Sequence, residues 1–185
     1  YEAELEVIKA YKKWRIPYAI IRPASVYGPR EKGPTLALFK AIKKRQFIII
    51  GSGKNKLHYV YVRDLVKGAR QAQLSSRKEG DYILAGKDPV TLKQGVTAIA
   101  SALELSIPDW YVPKFIALVI SYPLEWMGKA FKIKVPLFPS RVRTMTTSYF
   151  YNIQKAKKEI GYNPQTSFTS GIKKTAKWYE ESEWI

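Results

Sequence analysis

Apolar residues along the chain recur with two different periods, and the changes between them divide it into helices and strands. Apolar residues that recur every three to four positions, with charged residues between them, are typical of amphipathic helices. Short continuous apolar runs are typical of buried strands. The helical pattern occupies residues 2–14, 35–45, 91–103, 113–131, 153–160 and 169–181, and another helix is predicted to begin near Leu65. Strand-like runs occupy 18–22, 47–50, 57–61 and 81–85. Strands and helices therefore alternate along most of the chain.

Individual residues predict where several helices begin and end. Asp64 and Thr91 are each placed to cap a following helix, because their side chains can accept a hydrogen bond from a free backbone N–H. Asn152 is expected to cap 153–160, and Gly161 to end it. Pro123 is expected to interrupt the apolar helix 113–131, because proline lacks the N–H that a helix needs.

This alternation is typical of the α/β class, but the number of strands is small. Three or four strands are fewer than the five or six that an open parallel sheet usually contains. The prediction is therefore an incomplete α/β fold, with a loop-rich helical region at 104–150.

Composition excludes several kinds of chemistry. The chain has 185 residues, no Cys and a single His, His58. Disulfides, thiolate metal sites and cysteine nucleophiles are excluded, and so is a zinc site built from histidines. The predicted metal content is none. The longest uncharged apolar stretch, 115–124, is too short to cross a bilayer, so a cytoplasmic location is the expectation.

The net charge of +17 leaves three interpretations open. A basic patch could bind nucleic acid. It could instead hold a membrane surface or an anionic substrate. The third interpretation is a solvated, lysine-rich exterior, because the basic residues lie in small groups on helices.

Four segments are candidates for function, and each also has a structural explanation. Gly51-Ser-Gly53 joins two strands, so it predicts a plain turn rather than a dinucleotide loop. The loop 23–29 follows a strand, where ligands of α/β sheets bind, and offers Ser25 and Tyr27. His58 is either a structural residue or a substrate contact. The helix 113–131 is a core or subunit-interface helix, an apolar wall for a substrate, or a surface lying on a membrane.

Three segments, in this order, resemble the extended short-chain dehydrogenases of the NAD-dependent epimerase/dehydratase group, which includes 3β-hydroxysteroid dehydrogenases and dihydroflavonol reductases. They are Tyr18-Ala-Ile-Ile-Arg-Pro-Ala-Ser-Val-Tyr-Gly-Pro29, the run from Ile50 to Leu65, and the tail from Asn152 to Pro164 with Trp178-Tyr179. The resemblance covers nearly the whole chain. It implies the C-terminal part of a Rossmann-like parallel sheet, with a smaller, mostly helical substrate-binding lobe. Residues 1–103 would belong mainly to the first part and 104–185 mainly to the lobe and C-terminal helices.

The resemblance also implies what this stretch would not contain. The Tyr-x-x-x-Lys dyad and the glycine-rich phosphate loop of the group would lie upstream of Tyr1. We therefore expect the substrate-binding half of an NAD- or NADP-dependent enzyme, inactive by itself. Its expected partners are the N-terminal half and a hydroxy or keto substrate, either a sugar nucleotide or an apolar molecule. A homodimer and a membrane contact through 113–131 remain open as further partners.

Site residues are implied by position in the matching motifs. Pro23, Ala24, Ser25 and Val26 correspond to the loop against the nicotinamide, so they are the expected cofactor contacts. Ser25, Tyr27 and His58 are the expected substrate contacts. Leu57 stands where enzymes of nucleotide sugars often have an arginine for the pyrophosphate, and this departure favours an apolar substrate. The alternatives are a basic nucleic-acid-binding module, which no motif supports, and a non-catalytic scaffold relative.

Overall fold

The computed structural model describes residues 2–75, 77, 79–106, 111–131, 133, 135 and 137–185. In these residues eight helices and eight short strands are found, and the last four helices follow one another without a strand between them. The helices are α1 (Glu2–Trp14), α2 (Pro34–Lys43), α3 (Val62–Leu74), α4 (Leu92–Ala102), α5 (Lys114–Phe131), α6 (Pro139–Thr146), α7 (Gln154–Ile160) and α8 (Phe168–Glu181). The strands are β1 (Tyr18–Pro23), β2 (Ser25–Tyr27), β3 (Ile49–Ile50), β4 (Lys56–Leu57), β5 (Tyr59–Tyr61), β6 (Glu79–Leu84), β7 (Val90–Thr91) and β8 (Tyr111–Val112). The predicted α/β class is confirmed.

Strand pairing in the described residues is mainly parallel. β1 pairs with β6 over six residues, β2 pairs with β5, and β3 pairs with β8, all in parallel. β4 and β7 form an antiparallel pair. Parallel strands need a crossover between them, and the helices supply these connections. The three parallel pairs agree with the predicted Rossmann-like sheet.

Three apolar clusters hold these elements together, and two of them are large. One joins α2, α4 and α8 around side chains such as Phe39, Val96 and Tyr179, which are fully buried. The other packs α3 and α7 against β1 and β6, around Tyr82 and Tyr162. The last forty residues thus fold back onto strands formed early in the chain. The division into two parts at residue 103 remains a prediction.

An ion cluster ties the edge of the β1–β6 pair to two helices. Arg22 donates to both carboxylate oxygens of Glu4 at 2.9 Å and to Asp81 at 2.6 Å. Lys155 donates to the other oxygen of Asp81. The hydrogen bond from Lys155, followed by that from Arg22, lowers the pKa of Asp81 below its ordinary 3.8. The cluster is about half exposed, so its contribution to stability is small.

Several predicted boundaries hold and others shift. The ends of the helix 2–14 and the strand 18–22 are confirmed within one residue. Thr91 forms a full capping box with Gln94. Gly161 ends α7 in the left-handed conformation, with φ of +66°. These signals are local, so they act in the same way whatever packs around them.

Three of the predicted boundary signals are wrong, and in one of them a partner distant in sequence decides. Asp64 does not cap its helix: α3 begins at Val62, and the buried carboxylate accepts a hydrogen bond from the backbone N–H of Thr166 at 2.9 Å. Pro123 does not interrupt α5, which continues through it. α7 begins at Gln154, one residue later than predicted, so Asn152 is not its cap residue. The Asn152 side chain still accepts a hydrogen bond from the N–H of Gln154.

Candidate functional site

The carboxyl end of β1 passes directly into a second strand. Pro23 ends β1, and the N–H of Ala24 donates to the carbonyl of Leu84 at 2.9 Å. Residues 25–27, predicted as loop, then form β2 beside β5. Ala24 is buried, whereas Pro23 and Ser25 on either side of it are exposed. Pro23 and Ser25 thus lie exposed at the end of a parallel strand, which is where ligands of α/β folds bind.

Tyr27 is buried in an aromatic cluster at the end of β2. Its ring lies 5.2–6.0 Å from the rings of Phe168, Tyr61 and Tyr59. Its hydroxyl is 3.4 Å from the carbonyl oxygen of Phe168, to which it donates a long hydrogen bond. Burial raises the pKa of Tyr27 well above its ordinary value, so the phenol stays protonated at neutral pH. Tyr27 is therefore a hydrogen-bond donor at neutral pH.

The turn after β2 is built by two residues. Gly28 has φ of +140°, and an added Cβ would lie 2.6 Å from a Val62 methyl, so glycine is required there. Glu31 then accepts hydrogen bonds from the N–H groups of Gly33 and Leu36. The hydroxyl of Tyr179 on α8 donates to the backbone carbonyl of Glu31 at 2.8 Å and lies 3.2 Å from its carboxylate. This carboxylate fixes the start of α2, and nothing in the spacing of the sequence had pointed to it.

An apolar cavity of about 320 Å³ opens beside Tyr27. Its walls come from strands β2 and β5 and from helices α2, α4, α6 and α8, and these four helices are separated by long stretches of sequence. Its lining residues are Tyr27, Pro34, Thr35, Ala37, Leu38, Ala41, Phe47, Tyr59, Leu92, Gly95, Val96, Ile99, Arg141, Met145, Phe168 and Ile172. Among these described residues, Arg141 is the single charged one. The cavity can accept a mainly apolar molecule and brings a positive charge close to it.

His58 lies between β4 and β5, with both ring nitrogens engaged. Nδ1 accepts from the N–H of Tyr151 at 3.1 Å, so Nε2 carries the proton and donates to the carbonyl of Gly86 at 3.0 Å. The residue is 5% exposed. Its expected role as a substrate contact remains a prediction. A substrate would have to displace one of these backbone partners to reach the ring nitrogens.

The structure brings together only part of the expected site. Tyr27 lines the cavity, whereas Ser25 is exposed on β2 and His58 is buried in its own hydrogen bonds. Leu57 packs beside the cluster that contains Tyr27 and Tyr61. The roles of 23–26 toward a cofactor also remain predictions. The sequence had not indicated the contributions of Arg141 and Phe168, because no local pattern distinguishes them from ordinary helix residues.

Gly51-Ser-Gly53 is a plain turn, as predicted. It joins β3 to β4, with φ of +78° at Gly51 and +65° at Gly53, and no helix follows it. A phosphate loop would need a helix N-terminus at this point. In the described part of the chain, no three His, Cys, Asp or Glu side chains come close enough to hold a metal ion. None of the helices there is both long and apolar enough to cross a membrane.

Parallel strand pairs with helical connections and a cavity at the end of β2 are features of a Rossmann-like α/β protein. Residues 3–175 match the family described as GDP-mannose 4,6 dehydratase, and the chain belongs to this family. The resemblance inferred from the three sequence segments is confirmed. Membership in this family does not favour a nucleic-acid-binding module.

Individual relatives give a more detailed comparison. A 3β-hydroxysteroid-dehydrogenase/decarboxylase (isoform 1) of Arabidopsis thaliana is 28% identical, over 94% of this chain and 43% of the relative. The decarboxylating sterol-4-alpha-carboxylate 3-dehydrogenase of Mus musculus is 25% identical, over 85% and 46%. A UDP-glucose 4-epimerase of Thermotoga maritima, solved with UDP-glucose, has a TM-score of 0.70 at 19% identity, over 99% and 52%. The chain thus spans about half the length of its relatives.

Proposed function

We propose that this chain forms the substrate-binding half of an NAD- or NADP-dependent oxidoreductase or epimerase, and that its substrate is an apolar alcohol or ketone. The observation that carries this proposal is the apolar cavity beside Tyr27, at the carboxyl end of β2. Ligands of open α/β sheets bind at such strand ends.

The segment 23–26 fits the nicotinamide end of a dinucleotide. Exposed Pro23 and Ser25 flank the buried Ala24, so backbone and a small hydroxyl lie at the strand end without a bulky side chain. The phosphate end does not fit this stretch, because Gly51–Gly53 leads into a strand and not a helix. We infer that the upstream half supplies the phosphate loop and the general acid/base, and that residues 1–185 alone are inactive.

A bound nicotinamide would accept or donate hydride, and the residues of this chain would hold the substrate against it. Tyr27 stays protonated, so its contribution is to shape and orient one side of the cavity. Ser25 carries the exposed hydroxyl nearest to Tyr27 in sequence. It would contact the carboxamide of the nicotinamide or the reacting oxygen of the substrate. The walls of the cavity exclude water from the reacting carbon.

Three observations favour an apolar substrate over a nucleotide sugar. The cavity is lined almost entirely by apolar side chains. Leu57 takes the place where a phosphate-binding arginine would be expected, and it packs toward the core. The Arabidopsis and mouse relatives are named for hydroxysteroid and sterol carboxylate substrates.

The test compares two ligands on two matched variants. A fluorescent 3β-hydroxysterol and UDP-glucose are titrated against the chain, with energy transfer from tryptophan or calorimetry as the readout. Ala37→Leu on α2 places a larger side chain in the cavity and should weaken sterol binding about tenfold, because part of the sterol can then no longer be buried there. Ala3→Leu makes the same change on the exposed face of α1 and should leave binding unchanged.

Two results would contradict the proposal. UDP-glucose could bind while the sterol does not, which would restore the nucleotide-sugar interpretation. Alternatively, the sterol could bind equally to both variants, which would separate its site from the cavity. In the complete protein, Ser25→Leu should reduce the turnover of an apolar alcohol, and unchanged turnover would remove Ser25 from the site.

A further inference from the structure

The outward face of α5 is apolar along its whole length. At 100° per residue, Phe115, Val119, Tyr122 and Trp126 lie opposite Ala117 and Ser121, which are buried against the rest of the protein. Phe115 is 76% exposed and Trp126 71%. Ile116, Ile120, Met127 and Phe131 are exposed as well, along the flank that runs from this face toward Ala117.

This face is distinct from the cavity and needs a partner of its own. The inner side of α5 packs with Val142 of α6 and Ile50 of β3, so the helix is held with its outer side away from the protein. Contiguous exposed apolar surface of this kind marks an interaction site, because isolated apolar residues are common but a full helix face is not. Trp and Tyr are the side chains that prefer the boundary between water and lipid.

Charge around α5 indicates which partner fits. Between residues 111 and 151 the sequence has six Lys or Arg and a single acidic residue, Glu125. Glu125 forms an ion pair with Lys129, at 2.8 Å between Oε1 and Nζ. The region is therefore strongly basic, as is the whole chain at +17. A second copy would bring two such basic surfaces together, whereas an anionic lipid surface would be attracted.

We propose that the outer face of α5 docks on the headgroup region of an anionic lipid bilayer, with the helix lying in the plane of the membrane. Aromatic side chains such as Phe115 and Trp126 enter the boundary between headgroups and acyl chains, and the surrounding Lys and Arg contact lipid phosphates. This inference does not depend on the proposed catalytic role.

The experiment is co-sedimentation of the chain with vesicles of phosphatidylcholine, with and without phosphatidylserine. We expect binding to the anionic vesicles and little to the neutral ones. Trp126→Ser and Phe115→Ser should each weaken binding about tenfold, the usual effect of losing one large buried apolar side chain. Trp14→Ser is the matched control, because Trp14 on α1 is 62% exposed and lies on another helix. It should bind like the unaltered chain.

Each other outcome would overturn the proposal. Binding that is abolished by salt but unchanged in Trp126→Ser and Phe115→Ser would show a purely electrostatic association that does not use this face. Absence of binding, together with a dimer in analytical ultracentrifugation that Trp126→Ser dissociates, would assign the face to a second copy. Circular dichroism shows whether each variant is folded. If one of the two serine variants is unfolded, the conclusion rests on the other.

Discussion

Two buried helical glycines should respond in opposite ways to the same substitution. Gly171 on α8 and Gly95 on α4 are both buried, and each faces the aromatic residues around the cavity. A Cβ at Gly171 would overlap the Tyr27 hydroxyl and lie 2.8 Å from Cζ of the same ring. A Cβ at Gly95 would meet the Phe168 ring at 3.8 Å, an ordinary contact.

The magnitudes follow from two opposing effects. Alanine is favoured over glycine within a helix by about 1 kcal/mol. Gly95→Ala should therefore stabilise the protein by up to about 1 kcal/mol. At Gly171 the same gain is opposed by overpacking, which costs typically 1–3 kcal/mol. The overlap is severe and Tyr27 is packed on several sides, so we expect a net loss of about 2 kcal/mol.

Urea denaturation followed by circular dichroism measures the difference, with the midpoints compared at a common slope. Adding Tyr27→Phe to Gly171→Ala removes the atom nearest to the new methyl group and should recover part of the loss. A double-mutant cycle with Tyr27→Phe alone isolates that coupling. If Gly171→Ala were as stable as Gly95→Ala, α8 would not approach Tyr27 as closely as described, and the cavity wall would need revision.

Three further predictions concern single contacts. Asp81→Asn should remove at most about 1 kcal/mol from the free energy of unfolding at neutral pH, because the ion cluster is half exposed. Since the pKa of Asp81 is lowered, that contribution is present above its ordinary 3.8 and is lost as the pH falls through the lowered value. The variant and the unaltered chain should thus converge in acid, and a constant difference in melts across pH would argue against the cluster. His58→Phe should cost about 2–4 kcal/mol in urea unfolding, because the Gly86 carbonyl and the Tyr151 N–H both lose a partner; a neutral effect would show that these bonds are absent. Thr91→Ala should cost about 1 kcal/mol through loss of the capping box, whereas Thr91→Ser should cost much less, and an equal loss in both would exclude capping as the cause.

Much of the secondary structure could be predicted from local signals. Apolar spacing located α1, β1 and α8 nearly to the residue, and Thr91 and Gly161 marked helix ends through bonds within a few residues. The family resemblance could also be read from the sequence, because it rests on residues that are continuous in short motifs.

Partner choice between distant segments could not be predicted in the same way. The run 57–61 has the pattern of one strand, but the structure divides it between two. β4 ends at Leu57 and pairs with β7, whereas β5 begins at Tyr59 and pairs with β2. His58 fills the break, with a backbone partner on each ring nitrogen. Asp64 had the sequence of a cap and instead binds a backbone group 102 residues away.

The sequence by itself determined the α/β class, most helix ends and the family, because periodicity, capping and motif order depend on neighbouring residues. Only the tertiary structure decided the cavity, the burial of Tyr27 and the exposed face of α5. Those features depend on which helices pack together. α2, α4, α6 and α8 line one cavity, and among them α8 packs directly against α4. Burial and charge at a site are properties of that assembly, and no short stretch of sequence contains them.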